Sequence, residues 1–173
     1  EVQYICVDAL AELTMAILQK DRMRNPEGGY TRDLPVFMRR LLPVARERTI
    51  KLISNAGGMN PHGAAAAVAQ VARELGMHDL RIGVVTGDDL TTRLDELQQR
   101  GVELDNSDTG GAFDPVRSRT VFAVAYLGAR PVVDALQQQA DVVITGRVAD
   151  ASLFVAPMVH ELAWAWDDWD RLA

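Results

Sequence analysis

Ile53-Ser54-Asn55-Ala56-Gly57-Gly58-Met59-Asn60-Pro61 is entered by an apolar run and left by an alanine-rich helix pattern, so it reads as a loop between two rigid elements. Ile50-Lys51-Leu52-Ile53 is short, apolar and β-branched, the mark of a strand buried on both faces. Pro61 suits the first helical position and Asn60 the N-cap, because Pro has no N–H to lose there and the Asn oxygen can accept an orphan one. The helix then carries Val68, Val71, Ala72 and Leu75 on one face and stops at Gly76. Gly57 and Gly58 permit unusual backbone angles and leave room beside the helix N-terminus, a shape that suits a phosphate or carboxylate. The alternative is a tight turn that binds nothing. Neither a dinucleotide fingerprint nor a P-loop ending is present.

Working outward, the same strand-loop-helix alternation recurs. Val2 to Val7 is a strand pattern ending at Asp8, and the next segment places Leu10, Leu13 and Ile17 on one helical face with Glu12 near its start. Asp21 to Leu34 reads as a connection with turn chemistry at Asn25 to Gly29. A helix from about Pro35 contains Pro43, which should kink or split it. Leu80 to Val85 is a strand ending in Thr86-Gly87-Asp88-Asp89, with Asp88 or Asp89 as the N-cap of a helix bearing Leu90, Leu94 and Leu97. The other use of that aspartate pair is a divalent metal. Val102 to Ser118 is a long polar loop, Thr120 to Ala125 another strand, and Val132 to Leu136 a helix. Asp141 to Ile144 is the last strand, running into Thr145-Gly146-Arg147-Val148-Ala149-Asp150-Ala151-Ser152.

About five such repeats predict an α/β fold: a mostly parallel, Rossmann-like, doubly wound sheet of about five strands with helices on both faces, in a single domain over residues 1–173. Strand C-terminal ends then share one edge, where open α/β sheets bind ligands. Glu12, Asn55, Gly57, Gly58, Asn60, Thr86, Gly87, Asp88, Gly146 and Ser152 gather there as candidate ligand-binding residues. Arg147 leaves a buried strand and could hold an anion with its planar fork, while Asp150 or Asp8 accepts a proton, which makes Asp8, Arg147 and Asp150 the candidate catalytic set. Arg147 and Asp150 could instead simply pair. His160 lies in an apolar stripe and reads as a packing residue or a catalytic one. No zinc spacing links the histidines, and no Gly-x-Ser-x-Gly elbow is present.

The net charge of -6 gives no basic surface for nucleic acid or an anionic membrane. No eighteen-residue apolar span and no signal-peptide pattern occur, and the single cysteine, Cys6, sits in a strand pattern as a small core residue, so a soluble cytoplasmic protein is expected. The chain opens directly in a strand pattern without a methionine, which reads as a fragment of a longer protein.

Ser54 to Pro61, Val85 to Asp89, Ala125-Tyr126-Leu127-Gly128-Ala129 and Asp141 to Asp150, continued through Ala156-Pro157-Met158-Val159-His160-Glu161, resemble the acyclic terpene utilisation AtuA family along essentially the whole chain. The resemblance implies part of a longer N-terminal family domain and a place in bacterial catabolism of acyclic terpenes such as citronellol and geraniol. It implies a setting beside acyl-CoA enzymes and a biotin-dependent carboxylase. Two functions follow: an enzyme or binding domain for an anionic acyl compound, with a CoA thioester as the ligand, or a non-catalytic subunit partnering the carboxylase. A homo-oligomer is compatible with either. Ala151 and Ala163 stand where relatives often carry Pro and Gly, which questions the local backbone there.

Overall fold

The computed structural model describes residues 2–173. Its centre is a four-stranded, wholly parallel sheet in the order β1-β2-β4-β3, formed by β1 (Tyr4–Val7), β2 (Lys51–Ser54), β3 (Ile82–Val85) and β4 (Val142–Thr145). Ile53 pairs with Cys6 on one side and Val143 on the other, so the strand predicted to be buried on both faces is central. Its neighbours alternate as a pleat demands. Leu52, Val142 and Ile144 join one core with α2 (Leu34–Arg48) and α3 (Pro61–Glu74). Ile53 and Val143 join a second core with α6 (Arg130–Gln137) and α7 (Ser152–Leu162) on the opposite face. Helices therefore cover both faces.

Four strands are present among the described residues where about five were expected. The missing one is Thr120 to Ala125, which makes only an isolated antiparallel bridge, Asp89 to Val124. The chain there runs across the carboxyl end of the sheet instead of alongside it: Ala125 N–H donates to the Asp88 carbonyl and Leu127 N–H to the Arg147 carbonyl. Local β-propensity could not distinguish those two courses. The long polar loop before it holds a short helix, α5 (Asp114–Arg117), and the segment after β3 forms a 3-10 turn, Thr91–Arg93, ahead of α4 (Leu94–Gln99).

α1 (Glu12–Arg24) corrects a second expectation. It buries Met15 and Leu18, not Leu13 and Ile17, which are 72% and 57% exposed. The helix lies over the strand ends in a small core of Leu10, Met15, Leu18 and Met59, closed by Phe122 and Val124. α2 runs unbroken through Pro43, because Met38, Leu42 and Ala45 anchor it on either side and Pro43 itself is exposed, leaving its freed backbone group to solvent. Cys6 packs against the second core, and burial pushes its thiol up to about 11, as befits a structural residue. α8 (Trp169–Leu172) ends the chain, and no helix is long and apolar enough to cross a membrane among the described residues.

Ala163 caps α7 with φ 49, the left-handed region where a Cβ is penalised. Replacing Ala163 with Gly should raise stability by about 1 kcal/mol, read as a higher urea midpoint at unchanged slope. No gain would mean that the cap's strain is already relieved.

Candidate functional site

The loops after β1, β2 and β4 meet, and hydrogen bonds knit them together. Asn55, fully buried after β2, accepts from Ala9 N–H at 2.7 Å and donates to Asp8 Oδ1 at 2.7 Å. Ser54 Oγ donates to the Val7 carbonyl at 2.9 Å and accepts from Ala56 N–H. The chain leaves β2 for the face of α3 and leaves the adjacent β4 for the face of α7. This is the divergence at which open α/β sheets form a crevice.

Gly57 and Gly58 face the protein itself. A Cβ on Gly57 would meet the Thr145 carbonyl and lie 2.9 Å from Pro61 Cα, and one on Gly58 (φ 49) would strike the Leu18 side chain. The turn at Asn25 to Gly29 roofs this loop: Met59 N–H donates to the Gly29 carbonyl and Asn60 Nδ2 to that of Gly28. Asn60 caps α3 by accepting from Gly63 N–H at 2.9 Å, as its position predicted.

Asp88 and Asp89 divide their work. Asp89 makes the turn, accepting from Thr91 N–H, and pairs with Arg22 at 3.1 Å. Asp88, 3% exposed, folds back onto the loop after β4 and accepts from Arg147 N–H at 2.7 Å. Its carboxylate lies so close to Gly146 that any side chain there would collide with it. Burial raises the Asp88 pKa, partly countered by the bond from Arg147. Thr86 and Gly87 stay exposed beyond β3, and Ser152 is the buried first residue of α7, its N–H on the Ala149 carbonyl.

Arg147 is 3% exposed. Nη1 donates to the Leu10 carbonyl at 3.1 Å, Nη2 contacts the exposed Asp150 carboxylate at 2.9 Å, and Nε is buried without a hydrogen-bond partner. The Tyr126 ring covers the guanidinium, 4.0 Å from its carbon to the ring centroid. Tyr126 OH in turn donates to Glu12 at 2.5 Å, which holds the Glu12 carboxyl below its usual value. The structure thus brings together Asp8, Glu12, Asn55, Asp88, Gly146, Arg147 and Asp150, and leaves Thr86 and Gly87 aside. Tyr126 was not among the sequence candidates. It lies in one of the family-like motifs, but nothing local tells that its ring lies on an arginine. His160 sits in the last turn of α7, away from this cluster. No group of histidine, cysteine and acidic side chains suited to a metal occurs among the described residues. A pocket of about 390 Å³ lies nearby, between β1, β2 and α2.

These features define an α/β protein whose polar loops converge on a buried arginine at the carboxyl edge of its sheet. The chain belongs to the acyclic terpene utilisation AtuA family: the profile described as "Acyclic terpene utilisation family protein AtuA" matches residues 1–173, the whole chain. Membership supports a role in acyclic terpene utilisation. No curated protein and no solved structure matches it.

Asp88 binds its proton more tightly folded than unfolded, so stability falls as pH rises through the range above the ordinary 3.8. Asp88→Asn keeps an acceptor for Arg147 N–H and should be more stable than the parent at neutral pH. The gain should vanish below that ordinary value. Urea unfolding at both pH values measures it, and a less stable variant at neutral pH would show that the ionised carboxylate is favourable in place.

Proposed function

We propose that this chain binds an anionic acyl compound, a CoA thioester in particular, at the carboxyl edge of the sheet, as part of acyclic terpene catabolism. The observation that carries this reading is Arg147: a buried cation at the divergence of β2 and β4, with one unanswered donor and one face of its fork held only by an exposed aspartate. A buried charge with an unused donor is costly unless something completes it. Asp150 stands where a ligand anion would exchange in, and a carboxylate or phosphate of that ligand supplies the acceptors a planar guanidinium grips in pairs. Asp8, with its carboxylate oriented by Asn55, is the acceptor available for a proton on that ligand. The exposed Leu13 and Ile17 of α1 favour a second reading, a docking face for a carboxylase subunit.

Thermal unfolding with a panel of CoA thioesters tests the first reading, since a ligand at one hundred times its Kd adds about 2.7 kcal/mol. Arg147→Lys keeps the charge and loses the fork, so affinity should fall about tenfold, the loss of roughly one charge-assisted hydrogen bond. If no thioester stabilises the parent, or if Arg147 and Asp150 couple in a stability cycle while binding ignores both, Arg147 is structural.

A further inference from the structure

The two outer strands of the sheet, β1 and β3, are bordered differently. Beside β3 stand Arg81, Asp134 and Gln138, exposed polar residues of the kind that keep a free edge solvated and unpaired. Beside β1 a largely apolar groove opens on each face. One, of about 390 Å³, lies toward α2, and the other, of about 370 Å³, lies toward α7 and is lined by Val2, Phe154, Pro157 and Met158. A strand edge with exposed apolar side chains both above and below it is built to be covered.

The backbone of β1 says what can cover it. Lys51 N–H donates to the Gln3 carbonyl, and the parallel ladder that continues from this bond turns Ile5 and Val7 toward β2. The N–H and C=O groups of Tyr4 and Cys6 therefore point away from the sheet, and nothing answers them among the described residues. They are complementary to themselves. With two copies antiparallel across a two-fold axis at Ile5, Tyr4 of each faces the partner's Cys6, and each such pair exchanges two N–H···O bonds.

α2 fits the same axis. The Arg39–Glu74 and Arg46–Asp79 pairs tie one flank of this helix to α3 and the residues after it. The opposite flank reaches over the β1 edge and carries Phe37, Leu41 and Val44 at helical spacing, with Asp33 ahead of them and Arg48 behind. Phe37 and Val44 are exposed, and Arg40 falls on the solvent face between the two flanks. Leu41, midway along this stripe, lines the same groove as Ile5, so an axis through Ile5 crosses the stripe at its middle. The two-fold then lays α2 antiparallel to its copy. Apolar side chains meet apolar ones, and the acidic start of each helix meets the basic end of the other. An extended peptide could satisfy β1, but a second α2 also answers Asp33 and Arg48.

From this we infer that β1 is a dimer edge: a second copy of this chain pairs antiparallel with it about a two-fold axis at Ile5, joining the two sheets into one. The interface is independent of the Arg147 reading.

Sedimentation velocity of the whole chain from micromolar to millimolar concentration, combined with amide hydrogen exchange, tests it. The chain should sediment as a dimer. Val44→Lys, at an exposed position, should give a folded monomer with an unchanged circular dichroism spectrum. In that monomer the Tyr4 and Cys6 amides should exchange at least about tenfold faster than in the dimer, while the Ile5 amide, bonded to β2, stays slow. Should that variant unfold, dilution of the parent to monomer supplies the same comparison. Arg48→Glu should weaken the dimer at least about tenfold by setting like charges together at both ends of the stripe, and adding Asp33→Arg should restore it. Gln138→Lys beside β3 and Arg147→Lys should leave association unchanged. A monomer at millimolar concentration, a dimer indifferent to Val44→Lys, a double variant no tighter than Arg48→Glu alone, or Tyr4 and Cys6 amides as fast in the dimer as in the monomer would each overturn the inference. Protection of those amides only when a different protein is added would give the edge to that partner and overturn it as well.

Discussion

Asn55 has no contact with solvent, so both ends of its side-chain amide must be answered inside the protein. The oxygen takes Ala9 N–H and the nitrogen gives to Asp8, which ties the exit of β1 to the exit of β2. Everything at the carboxyl edge is built against that tie. Leu10 follows directly, its side chain in the small core under α1 and its carbonyl on Arg147. A hydrophobic residue of the same size at Asn55 would leave Ala9 N–H without its partner, and an unmet buried polar group costs about 1–3 kcal/mol.

The second constraint is the charge of Arg147. The fold answers most of a guanidinium this deep, with the Leu10 carbonyl and the Tyr126 ring from distant parts of the sequence and Asp150 from three residues on, and leaves Nε without a partner. Tyr126 reaches it because residues 120–127 cross the strand ends, bridged at Val124 to Asp89 and at Leu127 to Val148. The same crossing places Phe122 and Val124 on Met15 and Leu18 of α1. A segment with strand propensity is thus used as a cover, and the charge beneath it is shielded from water. The pocket under α2 is lined in part by the ends of β1 and β2 and the residues after them, among them Val7, Asp8, Ala9, Ser54 and Ala56.

Several elements were legible because their determinants are local. Pro61 and Asn60 began a helix, the apolar run at Leu52 and Ile53 made a central strand, and the motif from Asp141 to Arg147 gave the last one. The inward face of α1 was misread because that helix packs over the sheet's end instead of on its face. Met15 and Leu18 meet Leu10 and Met59 there, and no periodicity within residues 12–24 announces such a partner. The gathering of Asp8, Asn55, Arg147 and Asp150 followed from parallel topology alone. The separate roles of Asp88 and Asp89 did not, since adjacent aspartates look alike until one is seen bonded to Thr91 and the other to Arg147.

By itself, then, the sequence determined the alternation of strands and helices, the caps and turns that bound them, and the family, because propensity, glycine and proline chemistry and motif spacing act over a few residues. Only the tertiary structure decided that Gly57 and Gly58 make room for Leu18 and Thr145, that Tyr126 lies on Arg147, and that an apolar pocket with an acidic mouth opens under α2. Those outcomes rest on contacts between residues tens of positions apart, whose energies depend on burial and hydrogen-bond satisfaction that exist only once the sheet is assembled.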